Sequence, residues 1–233
     1  MIKLIMVLLL LTGQLFSSTE FSVIKEDELE LHYDKGLNPY TVEYAMKLLK
    51  HTKEYYTQIF NKTNYIPLKI YLYSSTINFI SEQNASYWQN FIFQSDSVYI
   101  NNVDFLLEEN SFHIIIKYVM IYNYLLAEYK ERIPPWFLNA MALHASNLVF
   151  PKSEVTFANF DDMVSNLTNF TLKDEYYQAN NKLKQGITDL VNDHQLARVL
   201  EFMENCLDYE DFKKKFFQFF GFSLSEYKKT ISN

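Results

Sequence analysis

Two histidines in the middle of the chain are the side chains best suited to hold a metal ion. His113 and His144 lie on successive predicted helices, so they can share an ion only if those helices bring them together. Zinc sites in proteins take four ligands in tetrahedral geometry, so two imidazoles alone predict weak binding at most. The sequence shows no Ser-His-Asp arrangement, no Cys-His arrangement and no glycine-rich phosphate loop. It therefore gives no support for a serine protease, a cysteine protease or a nucleotide-binding enzyme.

The segment RIPPWFLNAMALHASNL carries the most specific motif. It resembles the third-ligand helix of the exported, gluzincin-type zinc peptidases of the peptidase MA-like family, where the pattern runs roughly P-x-W-L-x-E-G-x-A. Trp136, Phe137 and Ala142 fall on that pattern, preceded by Pro135. The helical pattern at 176–203 and the phenylalanine-rich C-terminal segment with its glycine turn are also similar to the family. The resemblance thus reaches most of the chain, and it implies a zincin-like fold.

The catalytic residues of that family are replaced here. A gluzincin binds zinc through two histidines spaced i, i+4 on one helix and a glutamate from a later helix, and a glutamate after the first histidine acts as the base. In this chain Asn139 stands at the position of the third ligand, and Ala140 follows where the family has glycine. The glutamate of the motif is therefore lost.

Two alignments of the zinc-binding helix remain open. In the first, HIIIK, His113 holds the first ligand position, Ile114 the position of the base and Lys117 that of the second ligand. In the second, KYVMI, Lys117 and Ile121 hold the ligand positions and Tyr118 that of the base. The first alignment keeps one functional residue and the second keeps none.

The replacements are chemically unsuited to zinc. A lysine is cationic near pH 7 and repels the ion, and isoleucine cannot accept a proton. A tyrosine with its ordinary pKa of about 10 already carries its proton, and a neutral asparagine is a poor zinc ligand beside glutamate. The sequence therefore predicts no catalytic residues, no bound metal and no cofactor.

Three further residues are candidates for lining a remnant cleft: Tyr99, Trp136 and His144. The resemblance implies that peptides bind against an edge strand, and SVYINN at 97–102 would take that place. Trp136 is alternatively a core residue, and His144 alternatively has a structural role. One stripe of the predicted helix 111–130 either faces water or lines the cleft; it contains His113, Lys117, Tyr124 and Glu128.

Composition predicts one folded, helix-dominated α+β domain. Of the 233 residues, 48% are apolar and 17% aromatic, which is enough for a core, while 4 glycines and 5 prolines favour long helices over a turn-rich sandwich. A net charge of -7 without a clustered basic surface argues against a nucleic-acid partner. The single cysteine, Cys206, cannot form an internal disulfide.

Residues 1–18 are predicted to be a secretory signal, because a lysine precedes an apolar run that ends in small polar residues. The folded domain then spans 19–233, and the protein is exported. An uncleaved signal is the alternative, since the residues before the expected cut are large, and it would tether the protein to a membrane.

The order of predicted elements is strands first and helices afterwards. A strand or hairpin is expected at 21–34, and short strands at 68–75 and 97–102, with a short helix and a loop between them. Helices are expected from Pro39, over 111–130 and from Trp136 to Leu148. Five more helical segments are predicted beyond Pro151, near 155–168, 172–192, 193–205, 208–220 and 223–231.

Together these features predict an exported, catalytically inactive peptidase-like protein that binds a protein or peptide in the cell envelope. The alternative is a structural envelope component whose old cleft is filled by side chains. An active metallopeptidase with unusual ligands is the third hypothesis.

Overall fold

The computed structural model describes residues 18–26, 29–60, 67–167 and 172–232. These residues form an α+β, helix-dominated fold with a small N-terminal sheet followed by helices, which confirms the predicted fold class at this level. The predicted signal at 1–18 lies outside the described residues except for Ser18. Within the described ranges, none of the helices combines the length and the apolar character needed to cross a lipid bilayer.

The sheet has five strands in the described part of the chain: β1 (Phe21–Glu26), β2 (Leu29–Asp34), β3 (Leu68–Leu72), β4 (Phe91–Gln94) and β5 (Ser97–Ile100). Their spatial order is β1-β2-β3-β5-β4. The three central strands run parallel, and β1 and β4 are antiparallel at the two edges. Successive side chains of a strand point to opposite faces, so buried Leu31, Ile70 and Val98 form one apolar face.

The helices of the described residues are α1 (Pro39–Phe60), α2 (Thr76–Gln83), α3 (Val103–Glu108), α4 (Phe112–Tyr129), α5 (Pro135–Ser146), α6 (Phe160–Ser165), α7 (Lys173–His194), α8 (Leu196–Asn205), α9 (Tyr209–Phe220) and α10 (Leu224–Ser232). Most predicted helices are confirmed within a few residues. The predicted segment 155–168 is wrong at its beginning, because residues 155–159 are not helical and α6 begins at Phe160. The side chain of Asn159 caps it by accepting a hydrogen bond from the Asp162 amide.

The segment between β3 and β5 corrects the sequence analysis. The expected short helix is α2, but the residues FIFQ form a strand, β4, that pairs with β5 across a turn at Ser95 and Asp96. Ser95 has a φ of 54°, in the left-handed region. The expectation that 97–102 supplies an edge strand is wrong, because β5 is hydrogen-bonded to β3 on one side and to β4 on the other.

Helix α1 covers the apolar face of the sheet and packs against α4. Its beginning follows from two residues, since Pro39 has the φ of a first helical position and the Asn38 side chain accepts a hydrogen bond from the Tyr40 amide. The buried residues Val42, Met46 and Leu49 recur at helical spacing and form its inner face.

Helices α4 and α5 form the centre of the molecule. α4 is apolar on nearly all sides, as predicted for a buried helix. Pro134 and Pro135 separate it from α5, and Pro135 occupies a first helical position, where no backbone N–H is needed. α5 packs against both α4 and α7, and it ends at Asn147 in the left-handed conformation, with a φ of 59°.

The C-terminal helices enclose a phenylalanine cluster. Phe202 of α8 contacts Phe212, Phe216 and Phe220 of α9 at centroid distances of 5.1, 5.7 and 5.0 Å. Gly221 follows the last residue of α9, and its φ of 80° favours a residue without a Cβ, so the predicted glycine turn is present.

Candidate functional site

A buried chain of hydrogen bonds links α4, α5 and α7. The Tyr118 hydroxyl donates to Asn139 Oδ1 over 2.6 Å, and Asn139 Nδ2 donates to Asn180 Oδ1 over 2.9 Å. Asn180 Nδ2 then donates to the backbone carbonyl of Tyr176 over 2.8 Å. Tyr118, Asn139 and Asn180 are all buried. The polar atoms at the centre of the site therefore bond one another, as buried polar groups must.

Burial fixes the protonation state of this chain. It raises the pKa of Tyr118 well above its ordinary value of 10.0, and the neighbouring tyrosines add to the effect. Burial also raises the pKa of Tyr122 to about 12. Both phenols therefore keep their protons at neutral pH, and Tyr118 acts as a hydrogen-bond donor and not as a base.

Aromatic rings from α4 and β4 form one wall of the site. Tyr118 and Tyr122 lie one helical turn apart and are stacked, with their ring centroids 5.7 Å apart. Phe91 lies 5.2 Å from the ring of Tyr118, and Phe93 lies 5.4 Å from the ring of Tyr122. Alternation along β4 turns both phenylalanines towards α4, since the two residues are separated by one position.

A cavity of about 330 Å³ lies beside these rings. Its remaining wall comes from α5, α6, α7 and the residues that follow α6: Pro135, Trp136, Asn139, Val164, Leu167, Tyr176 and Asn180. The site is therefore an apolar, aromatic pocket with an amide and phenol floor, and its upper wall is the edge strand β4. Ligand pockets are typically of this character, and the volume is near the lower end of their usual range of about 300–1,000 Å³.

Trp136 holds α5 in place at this pocket. Its ring is 8% exposed and lies 4.9 Å from Phe160 and 5.5 Å from Phe137, measured between ring centroids. The residue therefore both packs in the core and lines the cavity, so the two sequence interpretations are compatible. Anchoring by Trp136 fixes the rotation of α5 that directs Asn139, three residues later, towards α4.

The structure brings together Tyr118 and Asn139 but not the other positions of the two alignments. Lys117 turns away, and its Nζ lies 5.1 Å from the ring centroid of Tyr55 on α1. Ile121 is fully buried in the core, and neither His113 nor Ile114 lines the cavity. The pair of α4 residues that faces Asn139 is instead Tyr118 and Tyr122, which have the same i, i+4 spacing in a register that neither alignment contains.

Two residues of the stripe that was expected to face water or a cleft, Lys117 and Tyr124, pack against α1, whereas Glu128 forms an ion pair with Arg132. Besides the contact between Lys117 and Tyr55, Tyr124 is buried, with its ring centroid 5.3 Å from Tyr56 and 5.2 Å from Phe60. Tyr124 is six residues beyond Tyr118 on α4, and at about 100° per residue this places it on the side opposite the pocket rings.

Tyr99 lies on the other face of the sheet. It stacks on Tyr71 with a centroid distance of 4.6 Å, and Tyr71 stacks in turn on His32 at 4.2 Å. Its neighbours in the strand, Val98 and Ile100, face the helices. Tyr99 therefore belongs to an aromatic row on the outer face and not to the cavity wall.

His144 is also separate from the pocket. Its Nδ1 lies 3.0 Å from the Thr188 hydroxyl, which itself donates to the Lys184 carbonyl, so the histidine is the donor in this pair. Burial lowers the pKa of His144, and the positive charge of Lys184 lowers it further. The contact joins α5 to α7, which supports the structural interpretation of this residue.

The converging groups have little capacity for metal or acid–base chemistry. They are two phenols and two amides, and none is the imidazole, thiolate or carboxylate that zinc prefers. In the described part of the chain there is no group of three or more histidine, cysteine, aspartate or glutamate residues placed to hold a metal ion. What the site can do is bind an apolar group among its aromatic rings.

Of the side chains at the centre of the site, the sequence predicted Tyr118 and Asn139. It did not predict Tyr122, Tyr176 or Asn180. Asn180 and Tyr176 belong to α7, whose packing on α5 is a tertiary property. The runs FIFQ and SVYI are separated by two residues, as in a tight hairpin, but neither alternates cleanly and Ser-Asp is not a typical hairpin turn pair, so the sequence signal for Phe91 and Phe93 was weak. Tyr122 was detectable as the residue one turn beyond Tyr118.

Fold and site together define a helix-dominated α+β domain with an uncharged aromatic pocket under an edge strand. No protein-family model matches the sequence, and no curated protein matches it either.

Proposed function

We propose that the protein is an exported, catalytically inactive relative of the peptidase MA-like gluzincins that binds an extended segment of a protein or peptide in the cell envelope. The observation that carries this proposal is the position of the edge strand β4 directly over the aromatic pocket. An open strand edge supplies backbone hydrogen bonds to a peptide, and a pocket below it supplies side-chain selectivity.

The family part of the proposal rests on the sequence motif and on the order of elements. The motif at Trp136 lies on a helix that directly follows a long buried helix, with a proline turn between them. The position assigned to the third ligand, Asn139, faces that preceding helix through its contact with Tyr118. A glutamate and two histidines would meet at the corresponding place in an active enzyme of that type.

Inactivity is supported by the chemistry of the converging side chains. Hydrolysis of a peptide by a gluzincin needs a metal-activated water and a base. The raised pKa of Tyr118 keeps its proton in place, and Asn139 is neutral at all pH values. An active metallopeptidase with unusual ligands would need to recruit charged groups that do not line this cavity.

The outer edge of β4 is free for strand addition within the described residues. The Asn101 amide donates to the Asn90 carbonyl, so Asn90 and, by alternation, Ile92 direct their backbone groups towards β5. The backbone N–H and C=O groups of Phe91 and Phe93 then point to the outer edge. A peptide paired with them would place alternate side chains on the pocket face of the sheet.

The bound segment should carry an apolar side chain at the position over the pocket. The walls are rings of phenylalanine, tyrosine and tryptophan, and the cavity volume of about 330 Å³ accommodates one large side chain. The uncharged floor gives no partner to a carboxylate or an ammonium group, so a charged side chain at that position would lose its hydration without compensation.

The alternative function is that of a structural envelope component. The satisfied hydrogen-bond chain from Tyr118 to Asn180 favours it, since such a chain stiffens a core. The open cavity beside the chain favours binding, because a filled cleft would leave no such volume.

A pair of substitutions at one residue tests the proposal. Peptides of ten residues selected by display on the wild-type protein would be measured by fluorescence anisotropy against Phe93→Pro and Phe93→Val. Both variants lack the ring, but only proline lacks the outward backbone N–H. Proline at an edge position leaves the inner pairing intact.

Strand addition predicts that Phe93→Pro binds the selected peptides at least about fivefold more weakly than Phe93→Val, the loss of about one net hydrogen bond. Circular dichroism establishes that both variants fold. Equal affinities in the two folded variants would contradict strand addition at β4. Failure of selection to yield any peptide that binds would favour the structural alternative.

A further inference from the structure

A second cavity lies between α7 and α10, away from the aromatic pocket. Its volume is about 550 Å³, within the range of small-molecule sites. Apolar side chains from both helices, and one from the residues that precede α10, line it: Leu190, Phe222, Tyr227 and Ile231. Gly186 makes the close approach of the two helices possible, because a Cβ at this position would lie 2.5 Å from Ile231 Cγ1.

The rim of this cavity is acidic. Asp189 and Asp193 lie one turn apart on α7, and Glu226 lines the cavity from α10, where its Oε2 accepts hydrogen bonds from the amide and hydroxyl of Ser223. The lining includes one cation, Lys182, and its Nζ donates to the Ser232 carbonyl over 3.1 Å. Three carboxylates against one ammonium group make the rim a negative site in which a cation is favoured.

A buried hydroxyl at the floor has no partner. Tyr227 is 5% exposed, and among the described residues its hydroxyl makes no hydrogen bond. The hydroxyl lies 3.4 Å from the position of a Cβ on Gly186, so it lies where α7 and α10 approach each other, and both residues line the cavity. An unsatisfied buried hydroxyl costs free energy that a ligand could recover.

We propose that this cavity binds a small organic cation, a primary ammonium or guanidinium group carried on an apolar body. The carboxylates of Asp189, Asp193 and Glu226 would hold the charged head, and the apolar walls would hold the body. The Tyr227 hydroxyl would accept a hydrogen bond from the head or complete its solvation. The rings of Phe222 and Tyr227, with centroids 6.0 Å apart, add aromatic faces that attract a cation.

The protonation of Tyr227 is consistent with this role. Burial raises its pKa, and the negative charge of Asp189 raises it further, so the phenol remains neutral and able to accept a hydrogen bond at neutral pH.

The proposal is independent of peptide binding at β4 and is tested with different probes. Titration of the 15N-labelled protein with 4-phenylbutylamine, 4-phenylbutanol and 4-phenylbutyrate compares three heads on one body. The amine should shift the amide resonances of residues 186–193 and 222–231 and bind about tenfold more tightly than the alcohol, since hydrogen bonds to charged groups are the stronger class. Equal binding of all three heads, or shifts confined to other residues, would overturn the proposal.

A further probe identifies the source of the cation. N-acetyl-lysine methylamide presents the same ammonium group on a peptide unit. If both compounds bind, a basic side chain is supported as the natural occupant. If 4-phenylbutylamine binds and N-acetyl-lysine methylamide does not, a free amine is supported. Absence of binding by both overturns the site.

Two variants tie the binding to the named groups. Asp189→Asn should weaken 4-phenylbutylamine about threefold to fivefold, the size expected of one exposed ion pair, whereas Asp174→Asn at the far end of the same helix should not. Tyr227→Phe should raise the melting temperature, because it removes the unpartnered hydroxyl, and should also weaken the amine. If Tyr227→Phe melts at a higher temperature but binds the amine with unchanged affinity, the hydroxyl is excluded from the site. If Asp189→Asn binds the amine with unchanged affinity, the electrostatic basis of the proposal is refuted.

Discussion

At the scale of single residues, the centre of the molecule is a neutral hydrogen-bond chain, at the position where the proposed resemblance would put a charged metal site. Tyr118, Asn139 and Asn180 satisfy one another, so the buried polar side chains form a connected core and not a set of unpaired groups. This arrangement accounts for the retention of polar side chains at buried positions, because each loss would leave a neighbour without a partner.

Removal of the Tyr118 hydroxyl tests that chain. Tyr118→Phe leaves Asn139 Oδ1 without its donor in a buried position, and we expect the free energy of unfolding to fall by about 1–3 kcal/mol. The control is Tyr122→Phe, one turn further, whose hydroxyl makes no hydrogen bond in the described part of the chain, and it should change stability by less than about 0.5 kcal/mol. Urea unfolding of both variants measures the difference, and equal losses would show that the chain contributes nothing specific.

His144 gives the fold a dependence on pH. Because burial and Lys184 lower its pKa, the folded state binds a proton less readily than the unfolded chain does. The stability that comes from neutral His144 is therefore complete above about pH 6.5 and is lost as the pH falls below that value. We expect the urea midpoint of the wild type to fall between pH 7.5 and pH 5.5, and to fall less in His144→Gln. The same fall in both proteins would exclude His144 as the cause.

At the scale of elements, the pairing of α4 with α5 decides which residues meet. The sequence allowed two alignments of α4, and in the structure the face opposite Asn139 carries Tyr118 and Tyr122. Lys117 and Tyr124 lie on the face that packs against α1. Helical spacing alone could show which residues share a face, but it could not show which face turns to α5.

Zinc binding by redesigned variants tests this rotation of α4. The variant with Tyr118→His, Tyr122→His and Asn139→Glu places two imidazoles on the face opposite a carboxylate. We expect it to bind one zinc ion with a Kd of about 1 µM or below, as measured by competition with a chromophoric chelator.

The matched controls follow the two alignments derived from sequence. One combines native His113 with Lys117→His and Asn139→Glu, and the other combines Lys117→His and Ile121→His with Asn139→Glu. Both should fail to bind zinc at that concentration, because Lys117 faces α1 and Ile121 lies in the core. Zinc binding by a control together with failure of the first variant would show that the assigned face is wrong.

The elements that sequence analysis predicted and those it missed differ in their physical origin. α1 and α4 have strong local sequence signals. An asparagine and a proline stand at the beginning of α1, and α4 has a continuous apolar pattern. β4 is four residues long, and its assignment depends on pairing with β5. β4 is the element whose omission mattered most for the expected peptide-binding edge. With β4 in place, the free edge of the sheet is at Phe91 and Phe93 and not at Tyr99.

At the scale of the whole molecule, the sheet edge, the pocket and the buried chain lie in one continuous region. β4 forms the upper wall, α4 and α5 the floor, and α6 and α7 the far side. Under the proposed function, a bound peptide would contact all three of these parts, whereas the second cavity between α7 and α10 lies apart from them.

Amide hydrogen exchange along β4 tests the central claim of strand addition most directly. The rates of Phe91, Ile92 and Phe93 would be measured by NMR with and without a selected ten-residue peptide at saturation. The amides of Phe91 and Phe93 point to the free edge and should become protected when the peptide binds. The Ile92 amide is already directed at β5 and should change little. Peptide binding that leaves the exchange of Phe91 and Phe93 unchanged would contradict strand addition at β4.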